Sequence, residues 1–365
     1  MLNVQSYLRG GKSLGDLSAE FGIRVCRHPA LPLCIVNYDQ AKSPRNPITD
    51  ECRALVLEFD TWRVVARSFD RFYWLNEYPE RDAGRLAWSD VVVEDKLDGS
   101  LMQLFPYCGE YVVTTRGSFA EGRPGGPGGD CGPTWSELFW RCLDRSRLLP
   151  PEKEDRCYTF ELVSPYNRVI CHYSEPALYL IGGRSGLCEF EFELGGYSLD
   201  FAAQEMGIRR PTCYELDGVY GAEPVVDWVN TRNALEAEGC VLRCGNYRVK
   251  VKSRQYLVLH RLLDNGNLCR TDRLLPILLA NEQSEVLTAF PHLHGPYFDL
   301  AEKLRGQAGR MMAVWECAKE LPQKEFANFV LKHTKLAPIL FEARKRAERP
   351  EDVLLRSERV LLKVL

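Results

Sequence analysis

No stretch of the chain approaches the run of about eighteen apolar residues that a membrane span requires. Met1 to Lys12 lacks the apolar block of a secretory signal. These two absences lead us to expect a soluble intracellular protein without membrane contact. No two of the fourteen cysteines stand at CxxC spacing and none has a histidine at zinc-finger distance, which argues against a metal ribbon or a disulfide framework. Buried free thiols are the expectation for most of them. Charge of one sign is also scarce, because 47 basic residues against 50 acidic ones leave a net charge of −3. With 45% hydrophobic and 27% charged residues in a chain of 365, the composition excludes a disordered tail or a collagenous repeat and suggests two or three globular domains.

What charge there is lies unevenly. Residues 301–365 hold 14 Lys/Arg against 9 Asp/Glu, a net +5, which leaves −8 for residues 1–300. Solvated helix faces explain this as well as a surface that meets a polyanion does. Residues 1–255 alternate short apolar runs with Gly, Pro, Asn and Asp. Strands are predicted at Ala54–Phe59, Val91–Glu94, Tyr111–Thr115, Tyr158–Val163, Ala177–Ile181, Gly239–Arg243 and Tyr247–Val251. After about Gln255 the texture turns helical: Leu304, Ala308, Met311, Met312 and Trp315 follow one helix face, and Phe326–Leu331 and Val353–Val364 also suit helices. The expected fold is α+β over 1–255, with antiparallel sheets, followed by an all-helical domain over 256–365. Glu121–Pro133, with six glycines and three prolines in thirteen residues, reads as a surface loop, since its spacing does not match a phosphate-cradling loop.

The most informative stretch is Val91–Phe105. Three valines form a strand ending at Lys96, and Asp98–Gly99 is expected to reverse the chain into a second apolar run. A lysine attacks phosphorus only when neutral. With an ordinary pKa of about 10.4, roughly one lysine in a thousand is neutral near pH 7.4. Nearby cations would lower that pKa, and Lys250 and Lys252 are candidates. The run Tyr247 to Ser253 alternates, so Val249 and Val251 face one way while Arg248, Lys250 and Lys252 face the other. Glu161 stands inside an apolar strand, where a carboxylate is costly unless it meets a cation or donors. Glu238 precedes a glycine just upstream of the basic strand.

Taken in order, Lys96 in KLDGS, Arg116 in TTRGS, Glu161 in FELVSP, Glu238 in EGCVLR and Lys250/Lys252 in KVK resemble the motif series of covalent nucleotidyl transferases. Within that superfamily the chain most resembles the phage T4 RNA ligase 1 family. Glu51-Cys-Arg-Ala-Leu-Val-Leu57, Val65 to Tyr73 with Asn76-Glu77, and YTFELVSPYNR from Tyr158 to Arg168 carry the narrower match, which covers roughly residues 1–255. Ala54 stands where that family usually has glycine, Arg71 where it commonly has lysine, and Trp74 where asparagine is common.

The resemblance implies an ATP-dependent RNA ligase, active in RNA repair. Lys96 would take AMP from ATP, pass it to an RNA 5′-phosphate and let an RNA 3′-hydroxyl displace it. It further implies that Lys250 and Lys252 hold the α-phosphate, that Arg53 and Arg71 contact the triphosphate or pyrophosphate, and that Tyr73 lies near the nucleotide. Arg116 and Glu161 would act near ribose and metal, Glu238 at a metal or its waters, and Asp98 and Gly99 belong to the nucleotide-binding turn. Mg²⁺, or alternatively Mn²⁺, is the implied metal. A DNA ligase, a capping-type guanylyltransferase and a non-catalytic RNA-binding protein are the competing readings. An OB-type domain after residue 255 is not apparent.

Overall fold

The computed structural model describes every residue except 125–131, 187–190, 216–220, 264–268, 281–286 and 288–292. The centre of the glycine- and proline-rich segment Glu121–Pro133 thus lies outside the described residues. The chain divides into two compact units, Met1–Tyr256 and Leu257–Leu365.

In the first unit, β1 (Ile23–Arg27), β2 (Leu33–Tyr38), β3 (Leu55–Glu58) and β4 (Val64–Ala66) form an antiparallel sheet in chain order. β2 is buried along its whole length. Cys34, Val36 and Tyr38 pack against the helices Asn3–Arg9 and Leu14–Phe21, while Leu33 and Ile35 meet Phe105 and Tyr107 on the other face.

Two five-stranded sheets complete this unit. Their strands are β5 (Tyr73–Trp74), β6 (Val92–Lys96), β7 (Ser100–Tyr107), β8 (Glu110–Thr115), β9 (Cys157–Val163), β10 (Ala177–Ser185), β11 (Phe192–Glu193), β12 (Cys213–Tyr214), β13 (Gly239–Cys244) and β14 (Tyr247–Lys252). One sheet has the order β11-β10-β9-β7-β8 and the other β12-β6-β13-β14-β5. In the first of these, Met102, Leu104, Phe160 and Leu162 pack under the helices Trp135–Cys142 and Gly196–Met206. In the second, Val93, Leu242, Val249 and Val251 pack against the helix Ala222–Asn230. Period-two alternation turns the remaining faces, with Glu161 on β9 and Glu94, Lys96 and Arg248 on β6 and β14, toward a shared cleft.

The Asp98–Gly99 turn differs from the expected hairpin. β6 pairs with β12 and β13, whereas β7 pairs with β8 and β9, so the three residues after Lys96 carry the chain from one sheet to the other. The Asp98 carboxylate, buried at 4% exposure, accepts from the amides of Ile170 and Cys171 at 2.7 and 2.8 Å and from the Tyr256 hydroxyl at 2.5 Å. Gly99 presses so closely on β9 that a Cβ there would stand 2.4 Å from the Leu162 carbonyl oxygen. A hairpin between β6 and β7 would break all of these contacts.

Among its described residues the second unit contains helices and no strand. Its longest helix, His294–Ala318, buries Met311 and Ala318, and Gln323–His333 buries Phe326 and Val330. The predicted helix Val353–Val364 is instead two, Pro350–Leu355 and Glu358–Leu361, broken where the Ser357 hydroxyl turns back onto the Val353 carbonyl. The described cysteines are free thiols, but only five of the twelve are buried and four are exposed. The expectation of mostly buried cysteines therefore fails, because Cys108, Cys213, Cys269 and Cys317 lie on the surface. No helix of the described residues is long and apolar enough to cross a membrane.

Candidate active site

Cross-strand register assembles the site. Gly239 on β13 pairs with both Lys96 on β6 and Lys252 on β14, so the two lysines flank it from opposite sides. A Cβ at Gly239 would lie 2.0 Å from the Val251 carbonyl oxygen. Only glycine allows the strands to close here, which brings the preceding Glu238 between the two amines. Its carboxylate is 3% exposed and binds Lys96 Nζ at 2.8 Å with one oxygen and Lys252 Nζ at 2.5 Å with the other.

Lys96 is held as an ammonium. Burial works against its charge, yet Glu238 and Glu161, with help from Asp98, outweigh that cost and raise its pKa. This overturns the expectation that the neighbouring lysines lower it, since Glu238 lies against its amine and neutralises Lys252 as well. Glu238 is itself held below the usual carboxylate range: burial opposes ionisation, but Lys96 and Lys252 prevail. Glu161 behaves oppositely. Burial, with repulsion from Glu238 and Asp98, lifts it to about 7 despite Lys96 and Arg53, and one of its oxygens accepts the Gly99 amide at 3.2 Å.

Lys250 bears no ion pair among the described residues. Burial, then the charges of Arg53, Lys96 and Lys252, depress it to about 7. Arg53 lies over the Phe72 ring at 4.5 Å, and its Nε is buried without a hydrogen-bond partner. Burial and Arg116 lower its pKa. An unsatisfied buried guanidinium nitrogen is costly in the absence of an acceptor, and the cleft that Arg53 lines with Lys96 and Glu161 is where an acceptor could stand.

Not every expected residue joins this group. Arg71 lies 4.3 Å over the Tyr38 ring, with one guanidinium nitrogen 3.4 Å from the carbonyls of Ser43 and Pro44. Arg116 stacks on the same ring at 4.6 Å and donates to Asn37. The Tyr73 hydroxyl bonds to Asp50, and its ring borders a separate hollow with Arg45 and Arg81. Asp98 spends its carboxylate on anchoring the turn, as described above. Tyr38, Phe72 and Tyr256 enter the site's surroundings without having been singled out. For Tyr256 a signal existed, since it stands four residues after Lys252 in the first turn of the helix Arg254–Leu263; Tyr38 ends a uniformly buried strand and had none.

A strand-end lysine in a cleft between two sheets, gripped by carboxylates and ringed by further cations, defines a protein built to hold a polyanion against an amine. Residues 51–256 match the RNA ligase family model of the phage T4 RNA ligase 1 type, and the chain belongs to that family. It is 29% identical over 324 residues to a protein of Autographa californica nuclear polyhedrosis virus named as a bifunctional polynucleotide kinase/RNA ligase, a match covering 82% of this chain and 44% of that one. A 162-residue stretch is 32% identical to an RNA ligase of a Rhodothermus phage and covers 37% of each chain. The chain thus spans half or less of the length of the curated relatives it matches. Among solved structures, an archaeal ATP-dependent RNA ligase superposes with a TM-score of 0.48 at 14% identity, covering 80% of this chain and 78% of that one.

Proposed function

We propose that this protein is an ATP-dependent RNA ligase that joins a 5′-phosphate to a 3′-hydroxyl, serving RNA repair. The observation that carries the reading is the Lys96–Glu238–Lys252 contact beside the unpaired Lys250 and Arg53. In the first step the Lys96 amine attacks the α-phosphorus of ATP, a phosphorus–nitrogen bond forms and pyrophosphate leaves. A 5′-phosphate oxygen then displaces Lys96 to give an adenylylated RNA end. Finally the 3′-hydroxyl oxygen attacks that end phosphate and AMP departs.

Such transfers ask a protein chiefly to position groups and to neutralise charge. On this reading Lys250 and Lys252 would receive phosphate oxygens, and Arg53 would offer its unpaired donor to the same anion. Lys96 must first lose its proton, which Glu238 and Glu161 oppose while they stand unshielded. These two carboxylates would hold a divalent cation, Mg²⁺ or Mn²⁺, whose charge supplies the bias toward the neutral amine. Among the described residues no cluster of three acidic, histidine or cysteine ligands occurs, and a pair of carboxylates suits a magnesium-type ion that takes its remaining oxygens from water and phosphate.

Incubation with labelled ATP or GTP and a divalent cation tests this. Mass spectrometry should find AMP on the Lys96 peptide, and Lys96→Ala should abolish the adduct while leaving the fold intact. GMP on Lys96 would favour a capping-type transferase. Sealing of nicked DNA in preference to RNA would favour a DNA ligase, and the absence of any adduct would leave a binding module.

A further inference from the structure

Aromatic rings alternate with the two strand lysines along one face. β5 joins β14 in parallel with Trp74 opposite Lys250, so the two side chains rise together. Lys250 Nζ lies 5.7 Å from the Phe72 ring centre and 5.4 Å from that of Trp74, while Lys252 Nζ lies 5.9 Å from Trp74 and 4.9 Å from Tyr256. Trp74 is the ring that both amines share. Its backbone is fixed too: the Trp74 amide donates to Glu77 at 3.0 Å, and the Leu75 amide donates to the Lys250 carbonyl at 3.1 Å.

We propose that Trp74 is a positioning residue that holds the amines of Lys250 and Lys252 at the spacing needed to grip one phosphate group. The inference rests on reading the cleft as a phosphate-transfer site. Two like charges on one strand face repel, and the ordinary remedy is a carboxylate for each. Lys252 has Glu238; a second carboxylate on Lys250 would compete with the phosphate it must bind. The indole face attracts a cation through its quadrupole and carries no net charge. It can therefore restrain both amines while leaving their other N–H donors to phosphate oxygens. Asparagine, common at this position in the family the chain resembles, has no such face.

Calorimetric titration of the full chain with inorganic pyrophosphate tests this without requiring chemistry. Trp74→Ala should weaken pyrophosphate binding about tenfold or more, and Trp74→Phe should recover it to within about threefold of the parent. In labelled-ATP assays the same order should appear in KM for ATP, with kcat for adduct formation changed less than about threefold. Circular dichroism must show both variants folded; if Trp74→Ala does not fold, the comparison of parent with Trp74→Phe and Trp74→Leu, of similar apolar bulk, decides instead. Unchanged binding in the truncated side chain, a Phe variant no better than Ala or Leu, or a parent that binds no pyrophosphate would each overturn the proposal. Retained pyrophosphate binding without any nucleotide adduct would refute the ligase reading and leave the role of Trp74 standing.

Discussion

At the scale of single residues, Ala54 and Glu161 show what the site costs. Ala54 has φ +53°, a left-handed conformation that costs a non-glycine residue about 1–2 kcal/mol. It is held there by its amide, which donates to Asn37, and by its carbonyl, which accepts from Gln103 at 2.6 Å. Ala54→Gly should stabilise the protein by about 0.5–1 kcal/mol, because the relief of strain exceeds the roughly 0.4–1 kcal/mol lost to a freer unfolded chain. A lower urea midpoint for the glycine variant would show that reading of the strain to be wrong. Glu161 is half-buried, with its pKa raised to about 7 chiefly by desolvation, so the folded state binds a proton that the unfolded state has released between the ordinary glutamate value and pH 7. Stability attributable to this group is therefore present at low pH and is lost as pH rises through that window, the reverse of a salt-bridged carboxylate. Glu161→Gln should raise the melting temperature at pH 8 more than at pH 5, by at most about 3 kcal/mol in stability, and should abolish metal-dependent adduct formation. A melting curve that the substitution lowers equally at both pH values would contradict this.

At the scale of elements, the basic strand was the easiest to read, since in β14 Val249 and Val251 join the core while Arg248 and Lys250 line or flank the cleft. Val249→Thr should therefore cost roughly 1–3 kcal/mol by burying a hydroxyl, with lysyl-adenylate formation unaffected wherever the chain remains folded. Equal loss of activity in Val249→Thr and Lys250→Ala, with folding unchanged, would contradict the assignment of faces. The strands at Cys157–Val163 and Gly239–Cys244 were legible because alternation or bounding glycines marked them. β2 was not, since a strand buried on both faces has no period to detect. The path of the chain beyond Lys96 was illegible for another reason. An Asp-Gly pair favours a tight turn locally, but here the Asp98 side chain is claimed by amides more than seventy positions away in the sequence. Motif order placed Lys96, Glu161, Glu238 and Lys252 near one another. It could not show that Glu238 lies between two lysines, because that depends on the close approach at Gly239.

At the scale of the whole molecule, the nucleotide motifs end by Ser253, and the first unit extends to Tyr256, whose hydroxyl secures Asp98. A chain ending at residue 263, which keeps the helix Arg254–Leu263, should still form lysyl-adenylate if circular dichroism shows it folded. It should seal natural RNA poorly and with a weaker salt dependence, because the net +5 of residues 301–365 would no longer meet phosphates. Unchanged sealing rates and salt dependence would assign the helical unit another role. The passage from β6 to β7 carries a mechanical consequence. The cleft beside Lys96 holds about 60 Å³ in this conformation, well short of the roughly 300 Å³ or more of a ligand-sized pocket, so a nucleotide needs it widened, by side-chain movement or by the two sheets parting. Leu97, Asp98 and Gly99 bolt the sheets together right beside the reacting amine, and the region nearest a pivot moves least. If the sheets part to admit a nucleotide, Leu97–Gly99 is where they would pivot, and Lys96, next to that pivot, would keep its attacking atom almost where it stands.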